Sequence, residues 1–256
     1  MNNLIKSERY KLFHNPVFWI VLAGMTLLGA TSGSGYTKYF LAHTHDRISI
    51  TSFSGVFNAM VADSTLLLVA VCAMLGWFMG REFSLRVIST EVASGHSRTD
   101  IFISKTIVNL CAYNIVMILY CLAGAISQIG HFGTGNLSDN VLNILRTVFY
   151  MILLQSAFFL ITITIAFILR NGIKTAVVAP IVSFSIAMIF VSAVQKGWSA
   201  AITYLNPIYR LREVTSMGSA IGGNGIILFP AIITGILWIA ACSIIILKSF
   251  TKSDLK

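Results

Sequence analysis

TVFYMILLQSAFFLITITIAFIL, residues 147–169, runs for 23 residues without one charged side chain. The hydrocarbon core of a bilayer is about 30 Å thick, and about 20 apolar residues cross it as a helix. No water is present there to satisfy N–H and C=O groups, so such a segment must make its hydrogen bonds internally, as a helix. Working outward, five further apolar stretches meet or approach that length, at about 16–33, 59–79, 101–129, 175–194 and 226–247. The pattern predicts an all-α membrane protein with six transmembrane helices. The 256 residues are 56% hydrophobic and 11% charged, with a mean hydropathy of +0.83, against about 25% charged for a soluble domain. A single membrane domain over 1–256 is expected, with no room for a soluble catalytic domain. The first apolar stretch follows fifteen polar or mixed residues and is long enough to span, so it is expected to be retained rather than cleaved as a leader.

An even number of spans puts both termini on one side. The N-terminus, the 80–105 loop, the 170–174 loop and the C-terminus together carry twelve of the 18 Lys and Arg, and the other side carries six. By the positive-inside rule both termini are cytoplasmic. The net charge of +9 is then mostly this bias plus attraction to anionic lipid, and nucleic acid is not an expected partner.

The flanking segments read as helices that lie on the membrane rather than cross it. In residues 3–14, Leu4, Ile5, Leu12 and Phe13 fall within about half of a helical wheel, although Glu8 and Arg9 intrude on that arc; an interfacial helix on the inner leaflet is expected. Asn15-Pro16 supplies a cap and a first-turn proline for span 1. Gly33 to Asn58 reads as an outer loop, and Ser138 to Leu145 as a surface helix leading into span 4. Asn206-Pro207 is a second cap-plus-proline start and Gly218 a stop, giving a short outer re-entrant helix. Trp198, Tyr204 and Tyr209 suit the headgroup level. Asn206, Pro207 and Tyr209 are therefore candidates for an outer gate.

Within the spans, Asp63 is the one acid, and an intramembrane acid marks a functional candidate. Asn109, Asn114 and Gln128 in span 3 and Gln155 in span 4 are candidates for interhelical hydrogen bonds or a translocation path. Gly29-x-x-x-Gly33 and Gly76-x-x-x-Gly80 permit close helix contact and are candidates for a dimer interface. Cys72, Cys111, Cys121 and Cys242 read as buried thiols, and His43 and His45 lack a third ligand, so no metal is expected.

The most informative polar segment is REFSLRVISTEVASGHSRTDIFISK, residues 81–105. It interleaves the acids Glu82, Glu91 and Asp100 with the bases Arg81, Arg86, Arg98 and Lys105. Leu85, Val87, Ile88 and Val92 cover one side of a short helix. Ser94-Gly95 ends it, and Ser97-x-x-Asp100 is a capping box that opens span 3. An amphipathic helix held between two spans is suited to docking in a groove on a partner.

Here the sequence resembles the permease subunits of type 2 ABC exporters, including those for bacterial peptides, bacteriocin immunity and phenol-soluble modulins. The likeness covers most of the chain. It rests on Leu4-Ile5-Lys6-Ser7-Glu8 through Tyr10-Lys11-Leu12 into Phe18-Trp19, and on Glu82-Phe83, Ile88, Ser94 to Arg98 and Ile101 to Lys105. Asn206-Pro207-Ile208-Tyr209 completes it. Relatives often carry Gly-Thr where this chain has Arg86-Val87. The resemblance implies a coupling helix near Val87 to Ala93 within the loop 81–100, with Glu82 facing an ATPase and Arg86, Val87, Ile88, Glu91, Val92 and Arg98 taking part.

The chain has no G-x-x-x-x-G-K-[ST] cradle for nucleotide phosphates. It is therefore expected to be no enzyme, to bind no cofactor directly, and to draw on ATP and Mg through a separate ABC ATPase. The expected assembly holds two ATPases and a second permease, identical or similar, in a bacterial plasma membrane. Spans rich in Phe, Met and Ile suit an amphipathic or hydrophobic cargo such as a peptide, for toxin export or self-protection. The competing functions are a secondary transporter driven by an ion gradient and a non-transporting membrane scaffold.

Overall fold

The computed structural model describes residues 2–42, 52–133, 137–195, 205–216 and 225–251, and every element among them is helical. The helices are α1 (Asn2–Phe13), α2 (Pro16–Ala42), α3 (Phe53–Ala62), α4 (Thr65–Ser84), α5 (Val87–Ala93) and α6 (Arg98–Ser127). They continue with α7 (Ile129–Phe132), α8 (Leu137–Leu169), α9 (Gly172–Gln195), α10 (Pro207–Ser216) and α11 (Gly225–Thr251). Five have the length and apolarity to cross a membrane: α2 through Pro16–Gly35, α4, α6, α8 through Val141–Leu169, and α11 through Leu228–Phe250. The remaining expected span is α9, a helix of 24 residues whose described apolar part, Gly172–Ile186, is shorter than the other five. His43, His45, Trp198, Tyr204 and Gly218 lie outside the described residues.

The long helices pack in pairs. α2 runs parallel to α6, with Gly29 against the Tyr120 backbone and Gly33 against Gly124; a Cβ on Gly29 would clash with the Tyr120 carbonyl oxygen. α4 runs antiparallel to α9, with Gly76 against Thr175 and Ala179 and Gly80 against Asn171 and Gly172. Both glycine pairs are thus filled by helices of the same chain, where a dimer contact was among the expectations. α8 is the central post. It pairs in parallel with α11, through Leu153 at Gly235 and Phe167 at Phe250, and also touches α3, α4, α6, α9 and α10.

Three expected boundaries move. The second span is not continuous over 59–79: the chain breaks at Asp63-Ser64, so α3 ends at Ala62 and α4 begins at Thr65. Short polar side chains compete for nearby backbone groups, and here the Ser64 hydroxyl donates to the Val61 carbonyl at 2.9 Å. The expected surface helix at Ser138 to Leu145 is the first part of α8, one helix of 33 residues. Helix α2 continues to Ala42, and α3 occupies Phe53–Ala62 with all but its first residue buried, so both described ends of the expected Gly33–Asn58 loop are helical.

The two ends of the bundle differ in composition. At one end lie α1, the foot of α4, α5, the start of α6, the α8–α9 turn and the foot of α11, joined by Lys11 to Glu91, Gly172 to Ser84 and Arg98 to Phe250. At the other end α3, α10 and the head of α8 pack together.

Candidate functional site

α1 forms because its Leu4, Glu8 and Leu12 recur every four residues and turn one stripe onto α6. Asn15 then caps α2, its Oδ1 accepting from the Val17 N–H at 3.0 Å, and Trp19 Nε1 donates to the Phe13 carbonyl at 2.7 Å. The middle residue of that stripe is an acid. Glu8 is 3% exposed, and its carboxylate accepts from Lys105 Nζ at 2.8 Å and from Lys11 Nζ at 2.7 Å.

Lys105 sits on the second turn of α6 and is fully buried. Its ammonium is surrounded by carboxylates from three other helices: Glu8 of α1, Glu82 of α4 at 2.7 Å and Glu91 of α5 at 3.2 Å. Lys11 closes the ring, with 2.7 Å to Glu91 as well as to Glu8. Three carboxylates face two ammonium groups, a formal surplus of one negative charge. Burial alone pushes the Glu91 carboxyl upward, but Lys105 and Lys11 outweigh it and hold the group below the ordinary carboxylate range. Burial and the neighbouring Lys105 pull Lys11 downward, and its bonds to Glu8 and Glu91 reverse this, leaving it above the usual lysine value. Both shifts favour the charged forms of Glu91 and Lys11.

α5 begins where α4 ends in a left-handed residue. Leu85 N–H donates to the Arg81 carbonyl at 2.9 Å and Arg86 N–H to Phe83 at 3.0 Å, with Arg86 at φ 56°. That is a helix stop for which glycine is the unstrained choice. From this turn α5 lays Ile88, 1% exposed, onto the bundle, with Val87 and Val92 half-buried beside it. Leu85, expected on the same face, is 60% exposed and lies outside α5. Glu82, expected to face a partner, points inward to Lys105 and is 7% exposed. The Ser97 half of the capping box forms as read: Ser97 Oγ accepts from the Asp100 N–H at 3.0 Å. Arg98 donates to the Phe250 carbonyl at 2.7 Å and stacks over its ring, which ties α6 to the foot of α11. Glu8, Lys11 and Lys105 were not singled out from sequence. Their signals were an acid inside the apolar arc of α1 and a lysine inside the first turns of a span.

At the opposite end Asn206 caps α10, its Oδ1 accepting from the Ile208 N–H at 2.9 Å; Asn206 and Pro207 are buried and Tyr209 half-buried. Arg210 pairs with Glu213 at 2.7 Å. Arg212 donates to the Ala62 carbonyl at 3.1 Å and lies 3.3 Å from Asp63, so Asp63 belongs to the α3–α4 break rather than to a span interior. Of the polar candidates within the spans, Asn114 makes an interhelical bond, to Ser156 Oγ of α8 at 2.9 Å. Asn109 donates to its own helix at the Lys105 carbonyl. Neither amide atom of the buried Gln155 has a hydrogen-bond partner among the described residues, and Gln128 forms the C-terminal cap of α6.

Among the described residues no three metal-ligating side chains come together. It offers instead a short helix fixed by buried charges to the feet of two spans. No curated protein matches the chain. Residues 4–192, which take in α1, the buried ring, α5 and the long helices through most of α9, match the family model described as ABC-2 family transporter protein. A match over most of the chain settles its membership: this is a member of the ABC-2 family of transporter proteins, a membrane permease component of an ABC transporter.

Proposed function

We propose that the chain is the permease subunit of an ATP-driven exporter, in which α5 receives the motion of a separate ABC ATPase and passes it to the inner ends of α4 and α6. The family supports the partnership with an ATPase. The observation that carries the coupling role is the ring around Lys105: α1, α4, α5 and α6 each contribute a charged side chain to one cluster centred on a fully buried ammonium. Removing one partner from such a cluster leaves a buried charge uncompensated, at about 3–5 kcal/mol, so the four helices respond to a push on α5 as a unit. In this proposal Glu82, Glu91 and Ile88 hold α5 in place, Val87 and Val92 complete its seat, and Arg86 and Arg98 flank it.

The working assembly is two permeases with two ATPases in a bacterial plasma membrane, with the α1 and α5 end cytoplasmic. ATP and Mg act only on the partner. The cargo is an amphipathic or hydrophobic molecule of the peptide class, because no charged side chain interrupts the apolar spans between their two ends. Asn206, Pro207 and Tyr209 form the outer gate, and Asp63, Asn109, Asn114 and Gln155 contribute to the path or its walls. The test reconstitutes the permease with its co-purified ATPase in lipid nanodiscs. Glu82→Lys or Ile88→Pro is expected to abolish permease-stimulated ATP hydrolysis while membrane insertion is kept. Unchanged stimulation in both variants would remove α5 from the mechanism.

A further inference from the structure

The pairing of the long helices leaves a cleft toward the α1 end of the bundle. α2 lies along α6 and α4 lies along α9, so α2 and α4 stand apart with α6 between them. Phe18 and Val21 of α2 form one wall, Met74, Trp77 and Phe78 of α4 the other, and Tyr113 of α6 the floor. The cleft encloses about 280 Å³, just under the roughly 300–1,000 Å³ of drug-sized ligand pockets. That suits a length of hydrocarbon chain rather than a bulky cargo. Met74, in the α4 span, is 39% exposed, whereas Phe18, Val21 and Tyr113 are buried, so the cleft opens toward lipid.

One end of the cleft carries a cation. Arg81 follows Trp77 by one helical turn on the same face of α4, and its guanidinium stands over the indole ring at 5.2 Å. At that distance the contact is a cation–π interaction, which fixes the guanidinium and leaves its planar N–H edge for an oxygen anion. Among the described residues Arg81 forms no ion pair. The nearby acids are engaged elsewhere: Glu8, Glu82 and Glu91 turn inward onto Lys105 and Lys11, while Lys6 and Arg9 are exposed at the same end of the bundle. Trp77 sets the depth, since tryptophan concentrates at the membrane–water boundary. The cation one turn beyond it then lies among the headgroups.

We infer that this cleft binds one anionic phospholipid, with an acyl chain between α2 and α4 and the phosphate on the Arg81 guanidinium. An apolar cleft alone would take any lipid. The fixed cation at its headgroup end selects a net negative one, because a zwitterionic headgroup brings its own cation and gains less there. A basic rim draws anionic lipid to the whole surface; the cleft adds a defined seat beside Trp77. The inference is independent of the coupling role.

The test uses the full chain in phosphatidylcholine vesicles, with Trp19→Phe, Trp198→Phe and Trp238→Phe leaving Trp77 as the one tryptophan. Its fluorescence is quenched by dibrominated phosphatidylglycerol or dibrominated phosphatidylcholine in increasing proportion. Phosphatidylglycerol should reach half-quenching at about fivefold lower mole fraction, the effect of one basic residue at an anionic surface. Arg81→Gln should bring the two lipids together, with an unchanged melting temperature because Arg81 is exposed. Lys6→Gln combined with Arg9→Gln lowers the general basic charge, leaves the cleft intact and should keep the preference. Equal quenching by both lipids with Arg81 in place, or a preference that survives Arg81→Gln, overturns the inference. A preference lost in the Lys6 and Arg9 double variant overturns it in favour of general surface attraction. Displacement by millimolar inorganic phosphate at matched ionic strength overturns it in favour of a free anion. ATPase stimulation enters none of these readings, so the coupling role is tested apart from them.

Discussion

The two ends of the bundle are both tied by ion pairs, but in different ways. At the α5 end one fully buried ammonium is shared by carboxylates of three other helices. At the α10 end Arg212 and Asp63 meet at 3.3 Å with side chains 53% and 39% exposed, and Arg210 pairs with Glu213 three residues away on its own helix. Exposed pairs contribute about 0–1 kcal/mol, whereas a buried cluster is costly to break. The α5 end is therefore tied by buried charge across four helices, and the α10 end is held by packing, a cap, the buried Thr147–Asn58 bond and an exposed clasp. The proposed function uses that asymmetry, with force entering at the α5 end and opening following at the α10 end.

The comparison predicts a graded set of effects. Lys105→Met should be the most damaging, lowering stability by about 3–5 kcal/mol, read as thermal melting in detergent; a loss below 1 kcal/mol would make the two ends equivalent. Gly29→Ala sharpens the contrast by acting between the ends. Its new methyl group would press on the Tyr120 backbone and should cost about 1–3 kcal/mol, the usual range for overpacking. The pH response follows from Glu91 and Lys11. Glu91 is held below its ordinary value, so its contribution is full above the ordinary glutamate value of about 4.3 and disappears as pH falls through its lower folded value. Lys11 is held above its ordinary value, so its contribution is full below about 10.4 and is lost as pH rises through its higher folded value. Melting temperature should be flat between about pH 5 and 10 on account of these two groups, and Glu91→Gln should remove the acid-side loss. The smallest effect belongs to Arg212→Ala, at under about 1 kcal/mol. A larger loss there would show that the outer clasp is structural.

What was legible in the sequence follows from the range of the forces involved. Local signals carried well: Asn15, Ser97 and Asn206 cap helices with the bonds their types predict, and the apolar runs lie on the long helices. Signals needing a second helix did not carry. Glu8 read as a flaw in an amphipathic pattern because its partner Lys105 is 97 residues away. Glu82 read as an outward group because a loop rich in both charges gives no sign of which will turn in. The glycine pairs read as openings for a second chain, since spacing says that a backbone can approach but not whose. α3 was hidden because its Ser and Asn residues look like loop, yet Asn58 is buried, its Oδ1 accepting from Thr147 of α8 at 2.7 Å.

The claim that α5 and the foot of α6 move as one block under ATP can be tested by single-molecule energy transfer on the assembled transporter, with native cysteines replaced. A donor at exposed Thr90 of α5 or at exposed Thr99 of α6 is paired with an acceptor at Val141 on the opposite end of the bundle. On ATP binding both donors should report the same change in distance, and Lys105→Met should make the two diverge. A shift from Thr90 with none from Thr99 in the wild-type protein would contradict the account.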